Sequence, residues 1–350
     1  MNILIDIRPL LEKPYTGVAQ YLLNFLNETF NKDRENHYFL FYNSAKIKNE
    51  DLPSFNFSNV KIVDFHYPNK IFNFLLWFFK WPKIDKLVEK RINQKIDEIF
   101  LPNFNFFAFS KNKKITLVVH DLSFEIYPQF FTFKQRLWHK LVNPKKICQR
   151  ADKIITHSEN TKNDLINIFK INPFKIEVKK PPLNLIFKEI EKNNSEFERI
   201  REKYNIKSEF IFYLGRLELR KNLETLIYAF SRLITNYSSL AINLIIAGEG
   251  KEKNKLKKMV NDLGIDNQVR FLGYIPEKEK KVFYQLAKVF VYPSFYEGYG
   301  YPVVEAISSK TLVIASHSSS LTEIESDKII FINPYDLNDL FFAIEKAIIS

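Results

Sequence analysis

Short apolar runs alternate with stretches in which apolar residues recur every three or four positions. A run of four to eight apolar residues between turn signals reads as a strand buried on both faces, and the longer period as a helix with one apolar side. Strands are therefore expected at 2–7, 38–42, 60–63, 99–101, 115–119, 153–156 and 176–178. Helices are expected over 18–30, 71–92, 132–150 and from a cap at Ser158 to Phe169. The helix at 18–30 shows its period plainly in Val18, Tyr21, Leu22, Phe25, Leu26 and Phe30.

The alternation then breaks at Lys179-Lys180-Pro181-Pro182 and begins again. Strands follow at 210–214, 242–247, 269–272, 289–292 and 312–315, with helices at 222–235, 251–263, 277–287, 302–308 and 336–349. Strand–helix alternation with buried strands means parallel sheets covered on both faces. The expected class is α/β, two Rossmann-like domains in tandem, 1–183 and 184–350. Ligands of such sheets bind beyond the carboxyl ends of the strands.

Composition sets boundaries. Cys148 is the sole cysteine, which excludes an internal disulfide and fits a reducing compartment. The start, Met1-Asn2-Ile3-Leu4-Ile5-Asp6-Ile7, lacks the charged lead and long apolar core of a signal peptide. The net charge of +12 is uneven: residues 101–150 carry nine basic side chains against two acids, and 301–350 three against seven. A basic first half suggests an anionic partner; a merely solvated face is the other reading. Nucleic acid is not expected, because no recognition module is visible. An anionic membrane is a candidate peripheral partner, met by the basic excess and by Phe72, Phe74, Trp77, Phe78 and Trp81; packing of those aromatics in the core of the first domain is the plainer reading.

The most informative stretch is Phe295-Tyr296-Glu297-Gly298-Tyr299-Gly300-Tyr301-Pro302-Val303-Val304-Glu305-Ala306. Pro302 suits a helix's first turn, where its missing N–H costs nothing. Strand end, tight loop and helix start are expected here, with Glu305 inside the first helical turn. A helix N-terminus attracts phosphate, and a carboxylate beside it accepts hydrogen bonds from hydroxyls. Phosphate and polyol side by side suggest a sugar nucleotide. The chain has only 8 glycines, and seven lie from Gly215 to Gly300.

Leu214-Gly215-Arg216-Leu217-Glu218-Leu219-Arg220-Lys221-Asn222 follows the first strand of the second half. Arg216 and Lys221 are placed to converge on a diphosphate and to stabilise its departure; a charged surface loop is the plainer reading. As a loop residue, Lys221 is expected to matter little to folding. Ala247-Gly248-Glu249-Gly250 and Leu272-Gly273-Tyr274 read equally well as turns. His120, ending strand 115–119, either approaches a transferred sugar or is a satisfied buried histidine. His157 has the weaker standing, next to a helix cap. No His, Cys, Asp and Glu set has metal-ligand spacing.

These segments resemble the retaining, GT-B type glycosyltransferases of family 4. The resemblance rests on Thr16-Gly17-Val18-Ala19-Gln20-Tyr21, Val119-His120-Asp121-Leu122, Gly215-Arg216 with Arg220-Lys221-Asn222, and the E-x7-E signature from Glu297 to Glu305. It spans about residues 2 to 345. The resemblance implies two domains facing a cleft, with the acceptor on the first and the donor on the second. It implies that Glu305 holds the donor ribose, that Glu297 meets the transferred sugar, and that Arg216 and Lys221 clamp the diphosphate. Gly298, Tyr299 and Gly300 would line the donor, Gly17 would let its loop approach the donor or the acceptor, and His120 would face the sugar near the reacting carbon. No metal and no cofactor are implied. Two departures stand out. Lys180-Pro181-Pro182-Leu183-Asn184 replaces the Pro-Asn-Gly-Val-Asp frequent in the family, and the chain stops at Ser350, before the usual crossover helix. The terminal crossover is therefore expected to be missing.

The expected activity is retaining transfer of a hexose, with mannose from GDP-mannose favoured, to a hydroxyl of a glycan or lipid-linked acceptor. The expected location is the cytoplasm, peripheral to the inner face of the cell membrane. The rival readings are a sugar-nucleotide epimerase of the same architecture and a catalytically silent binding module.

Overall fold

The computed structural model describes residues 1–13, 15–182, 187 and 194–349. The chain divides into two compact units, Met1–Pro182 and Leu183–Ser350. Residues 183 and 184, where the sequence places the boundary, lie outside the described residues.

The first unit holds strands β1 (Asn2–Asp6), β2 (His37–Asn43), β3 (Val60–Phe65), β4 (Glu98–Leu101), β5 (Lys114–Val119), β6 (Lys153–Thr156) and β7 (Ile176–Val178). They form one sheet in the order β3-β2-β1-β4-β5-β6-β7, every pair parallel. Helices α1 (Gly17–Lys32), α2 (Asn69–Phe78), α3 (Ile84–Ile92), α4 (Ser123–Ile126), α5 (Phe133–Val142), α6 (Pro144–Arg150) and α7 (Glu159–Phe169) accompany it. Leu4, Phe41, Leu117, Val119 and Ile154 are buried in the core, as the unbroken apolar runs require.

Two helices expected as single elements are broken. The one expected over 71–92 ends at Phe78 and resumes at Ile84, because Pro82 cannot continue a ladder of N–H donors. The one expected over 132–150 breaks at Asn143, which takes φ 56° and caps α6 by accepting from the Lys146 N–H at 3.1 Å. The residue before a proline is driven out of the helical region, and Pro144 follows.

The second unit holds β8 (Glu209–Leu214), β9 (Ile242–Ala247), β10 (Val269–Gly273), β11 (Val289–Tyr292), β12 (Val313–Ser316) and β13 (Ile329–Ile332). Their order is β10-β9-β8-β11-β12-β13, again all parallel. Its helices are α8 (Asn194–Lys203), α9 (Leu223–Asn236), α10 (Lys253–Asp262), α11 (Glu277–Leu286), α12 (Tyr301–Ser308) and α13 (Leu337–Ile349). Two of these elements escape the sequence reading for physical reasons. The edge strand β13 buries only Ile332 fully, and α8 is so polar that it buries only Ile200. Each unit is thus Rossmann-like. Strand order reverses direction between β1 and β4 in one and between β8 and β11 in the other, which is where such sheets open a crevice.

Candidate active site

The reversal point of the second unit lies at the ends of β8 and β11. After β8, a tight turn at Leu219–Lys221 carries Arg220 and Lys221 inward, and Asn222 takes φ 57° to start α9. After β11, the chain runs through Glu297 and two glycines into α12. The Lys221 Nζ lies 2.5 Å from Glu297 Oε1 and donates to the Tyr292 hydroxyl at 2.7 Å. Both charged side chains are buried, 7% and 8% exposed. Arg220 donates to the Tyr296 carbonyl at 2.9 Å and to Glu297 Oε2 at 3.3 Å. The Glu297 N–H donates to Ser319 Oγ at 2.8 Å, and Ser320 Oγ donates to the Glu297 carbonyl at 2.8 Å. Burial pushes the Glu297 carboxyl up, but Lys221 and Arg220 outweigh it and hold the group below its ordinary range. The result is an ionised carboxylate fixed at both oxygens.

Arg216 does not join this group. Leu217 is fully buried, so its neighbours point outward. The Arg216 guanidinium is 57% exposed and pairs with Glu218 at 3.0 Å. The expected Arg216–Lys221 clamp is therefore divided in this structure, with Lys221 inside and Arg216 outside. The expectation that Lys221, as a loop residue, matters little to folding is corrected by its burial in the ion pair with Glu297.

Glu305 also sits differently from its expected place. Helix α12 starts at Tyr301, so Glu305 is its fifth residue and falls in the second turn. Gly300 caps the helix at φ +88°, and a side chain there would strike Leu321. Gly298 is buried beside it, and the Tyr299 and Tyr301 rings meet edge to face at 5.3 Å. The Glu305 carboxylate is buried and accepts from the Tyr284 hydroxyl at 2.9 Å. Burial raises its pKa to about 7, against the pull of Lys280. Lys280 is itself bound to Glu277 at 2.6 Å.

The loops after β8, β9 and β10 lie main chain against main chain. The Leu217 N–H donates to the Glu249 carbonyl at 3.0 Å and the Gly248 N–H to the Gly273 carbonyl at 2.7 Å. A side chain at Gly248 would run into the Gly215 carbonyl, and Gly248 also holds φ +125°. These glycines are contacts between loops as well as turns.

In the first unit, His120 follows β5 and its Nε2 donates to the Pro102 carbonyl at 2.8 Å. Burial holds its pKa below the usual imidazole value. The ring is then neutral, and Nδ1 is its acceptor atom. His120 packs against Tyr21 and His157, with centroids 5.1 Å away in each case. His157 is buried, its pKa brought to about 3 by burial and by His120, and it contacts the Lys179 carbonyl. Gly17 is the first residue of α1, whose cap is the Thr16 side chain, and a Cβ on it would meet open space. Among the described residues no three His, Cys, Asp or Glu side chains gather as metal ligands.

Sequence reasoning assigned no role to Arg220, Tyr292, Tyr284 or Ser319. Arg220 was legible only as part of a basic pair, and the others become visible through contacts 21 to 71 positions away.

Comparison with known proteins decides the family. Residues 15–185 match the glycosyltransferase family 4 model, and residues 196–350 match the model for glycosyl transferases group 1. The chain belongs to the group 1, family 4 glycosyltransferases. Among relatives of this glycosyltransferase, O-antigen chain mannosyltransferase B of Escherichia coli is 28% identical over 67% of this chain. The serotype-specific mannosyltransferase WbdA of the same species is 27% identical over 67% of this chain. The matched regions span only 61% and 29% of those two relatives. The crystal structure of Anabaena HepE in complex with UDP-glucose shares the fold, at TM-score 0.71 and 17% identity, over 99% of this chain and 90% of that one.

Proposed function

We propose that this glycosyltransferase moves a hexose, mannose foremost, from a nucleoside diphosphate sugar to a hydroxyl of a glycan or lipid-linked acceptor, with retention of configuration. The second unit is the donor domain and the first the acceptor domain. One observation carries the reading: a buried, ionised Glu297 held by Lys221 and Arg220 at the sheet's reversal point, eight positions before a buried Glu305. Lys221 supplies positive charge for a departing diphosphate, and the exposed Arg216 adds its planar fork from the same loop. Glu297 accepts hydrogen bonds from sugar hydroxyls. A carboxylate tied at both oxygens to cations is a poor nucleophile, so it is not assigned as one, unlike the paired carboxylates of retaining hydrolases. Glu305 holds the ribose, Gly298, Tyr299 and Gly300 line the donor, and Gly17 and His120 belong to the acceptor domain. The mannosyltransferase relatives support mannose.

A thermal-shift screen of UDP-, GDP- and ADP-sugars tests this directly. A true donor at 100 times its Kd adds about 2.7 kcal/mol, and absence of stabilisation by every sugar nucleotide would sink the reading. Transfer of labelled sugar is expected to survive EDTA, since side chains alone supply the positive charge. Loss of activity with EDTA, restored by Mn²⁺, would show that this charge account is wrong.

The acceptor is met, in this reading, at an anionic membrane face on the cytoplasmic side. No described helix is long and apolar enough to cross a membrane, so contact would be peripheral. Phe72 is buried, but Ile71, Phe74, Phe78, Phe79 and Trp81 are 50–62% exposed. The Phe74 ring touches those of Trp77, Phe78 and Phe79, so Phe74, Phe78 and Phe79 form one exposed cluster. Beside them, burial depresses the Lys80 ammonium, and Lys146 and Lys83 repel it further. Like charges gathered against exposed aromatics suit anionic headgroups, at about 1 kcal/mol per basic residue. Co-sedimentation is expected with phosphatidylglycerol vesicles and not with phosphatidylcholine ones, and to fade with salt. Equal, salt-insensitive binding to both would defeat it.

A further inference from the structure

Lys221 has two claims on it. The proposed chemistry sends its ammonium to the diphosphate, yet in the structure it is closed on Glu297 at 2.5 Å and on Tyr292 at 2.7 Å. A donor that draws Lys221 away takes the nearest counter-ion from a carboxylate that is 8% exposed. A buried charge left alone is costly and takes up a proton instead. A protonated Glu297 could no longer accept at both oxygens.

A second cation stands at the other oxygen. Arg220 reaches Glu297 Oε2 at 3.3 Å, and its guanidinium also donates to the Tyr296 carbonyl at 2.9 Å. Its own carbonyl accepts from the Phe295 N–H at 2.9 Å. Arg220 is thus fastened by main chain and side chain to three consecutive residues of the loop that bears Glu297. That fastening leaves it unable to follow a phosphate as a lysine stem can.

We propose that Arg220 is a positioning residue that keeps Glu297 ionised and oriented while Lys221 is drawn to the donor diphosphate. This rests on the donor reading above. The other groups around Glu297 cannot take the role. Tyr292 and Tyr213, at the ends of β11 and β8, are neutral phenols whose pKa burial raises. Ser319 and Ser320 contact the Glu297 backbone. Glu218, on the same loop, is an acid acting on Lys221 and Tyr213.

The first test needs no donor. Unfolding by denaturant is measured from pH 5 to 9 for Lys221→Met and for Lys221→Met combined with Arg220→Gln. Buried Glu305, whose carboxyl is raised to about 7, already makes stability decline toward neutral pH in every form of the protein. With Lys221 gone, Arg220 alone should hold Glu297 charged, and the single variant's profile should run parallel to that of the unmodified protein. In the double variant the Glu297 carboxyl has no cation, its folded pKa lies above its unfolded one, and stability should fall more steeply than in the unmodified protein as pH rises through neutrality. Parallel profiles in the single and double variants would overturn the proposal. The second test uses Arg220→Gln and GDP-mannose. The acid limb of kcat, which reports the enzyme–substrate complex, should move up by about one pH unit. The limb of kcat/KM should move less, because Lys221 is still on Glu297 in the free enzyme, and Arg220→Lys should restore the kcat limb. A lower kcat at every pH with the limb unmoved would leave Arg220 only a loop tie and overturn the proposal. Absence of turnover by the unmodified protein on every sugar nucleotide would sink the donor reading instead, with the unfolding arm still readable.

Discussion

Lys221→Ala is expected to lower turnover by at least about 100-fold, the usual cost of removing one group that stabilises developing negative charge. It is also expected to destabilise the fold by about 3 kcal/mol, toward the lower end for breaking a buried pair, because Arg220 still faces Glu297 at 3.3 Å. The two effects are separable. Lys221→Ala combined with Glu297→Ala removes both charges, so it should recover part of the lost stability and none of the lost turnover. Denaturant melts of the three variants beside steady-state rates check this. Unchanged stability in Lys221→Ala would mean that the lysine is not held on Glu297 in solution.

Glu305→Gln is expected to stabilise the donor-free protein, and to do so only at higher pH. The carboxyl titrates near 7 in the folded chain against 4.5 ordinarily. Between those values the folded form holds a proton that the unfolded form releases, so stability declines as pH rises through the interval. Above about pH 7.5 the cost of the buried charge is complete, about 3 kcal/mol at about 1.4 kcal/mol per pH unit. Below about pH 4.5 both forms are protonated and the variant gains nothing. Glutamine keeps an acceptor for the Tyr284 hydroxyl, so the hydrogen bond at 2.9 Å need not be lost. On the proposed roles, the same variant should chiefly raise the donor KM, because a ribose contact would be made in ground and transition states alike, whereas Glu297→Gln should chiefly lower kcat. Melting curves from pH 4 to 9 and kinetics with varied donor decide both points. A stability gain independent of pH would mean that Glu305 is not a buried titrating carboxyl.

Much of the architecture was legible because both sheets are parallel and covered. Their strands, such as Ile242–Ala247, are unbroken apolar runs, and their helices carry one apolar side. What escaped was the local chemistry of helix ends, as at Asn143, and elements too polar or too exposed to show a pattern, as in α8 and β13. The candidate site was legible as a set of loops at strand ends. It was not legible as a set of partners. Arg216, Arg220 and Lys221 look alike in sequence, and only the fold sorts them, since the buried Leu217 turns Arg216 outward while the turn at Leu219–Lys221 sends the other two in. Glu305 was expected in the first turn of a helix opening at Pro302; α12 opens one residue earlier, at Tyr301, which makes Glu305 its fifth residue.

The seam between the loops after β8, β9 and β10 bears on how this enzyme can be altered. Its hydrogen bonds run between backbone atoms, Leu217 to Glu249 and Gly248 to Gly273, and need no particular side chain. The side chains those loops present outward, such as Arg216 at 57% and Tyr274 at 54% exposure, can be exchanged while the scaffold beneath them stays put. A combinatorial library at such positions would test which of these side chains meet a ligand, on an unchanged frame. Replacing Gly248 or shifting the chain by one residue would instead unzip the frame itself.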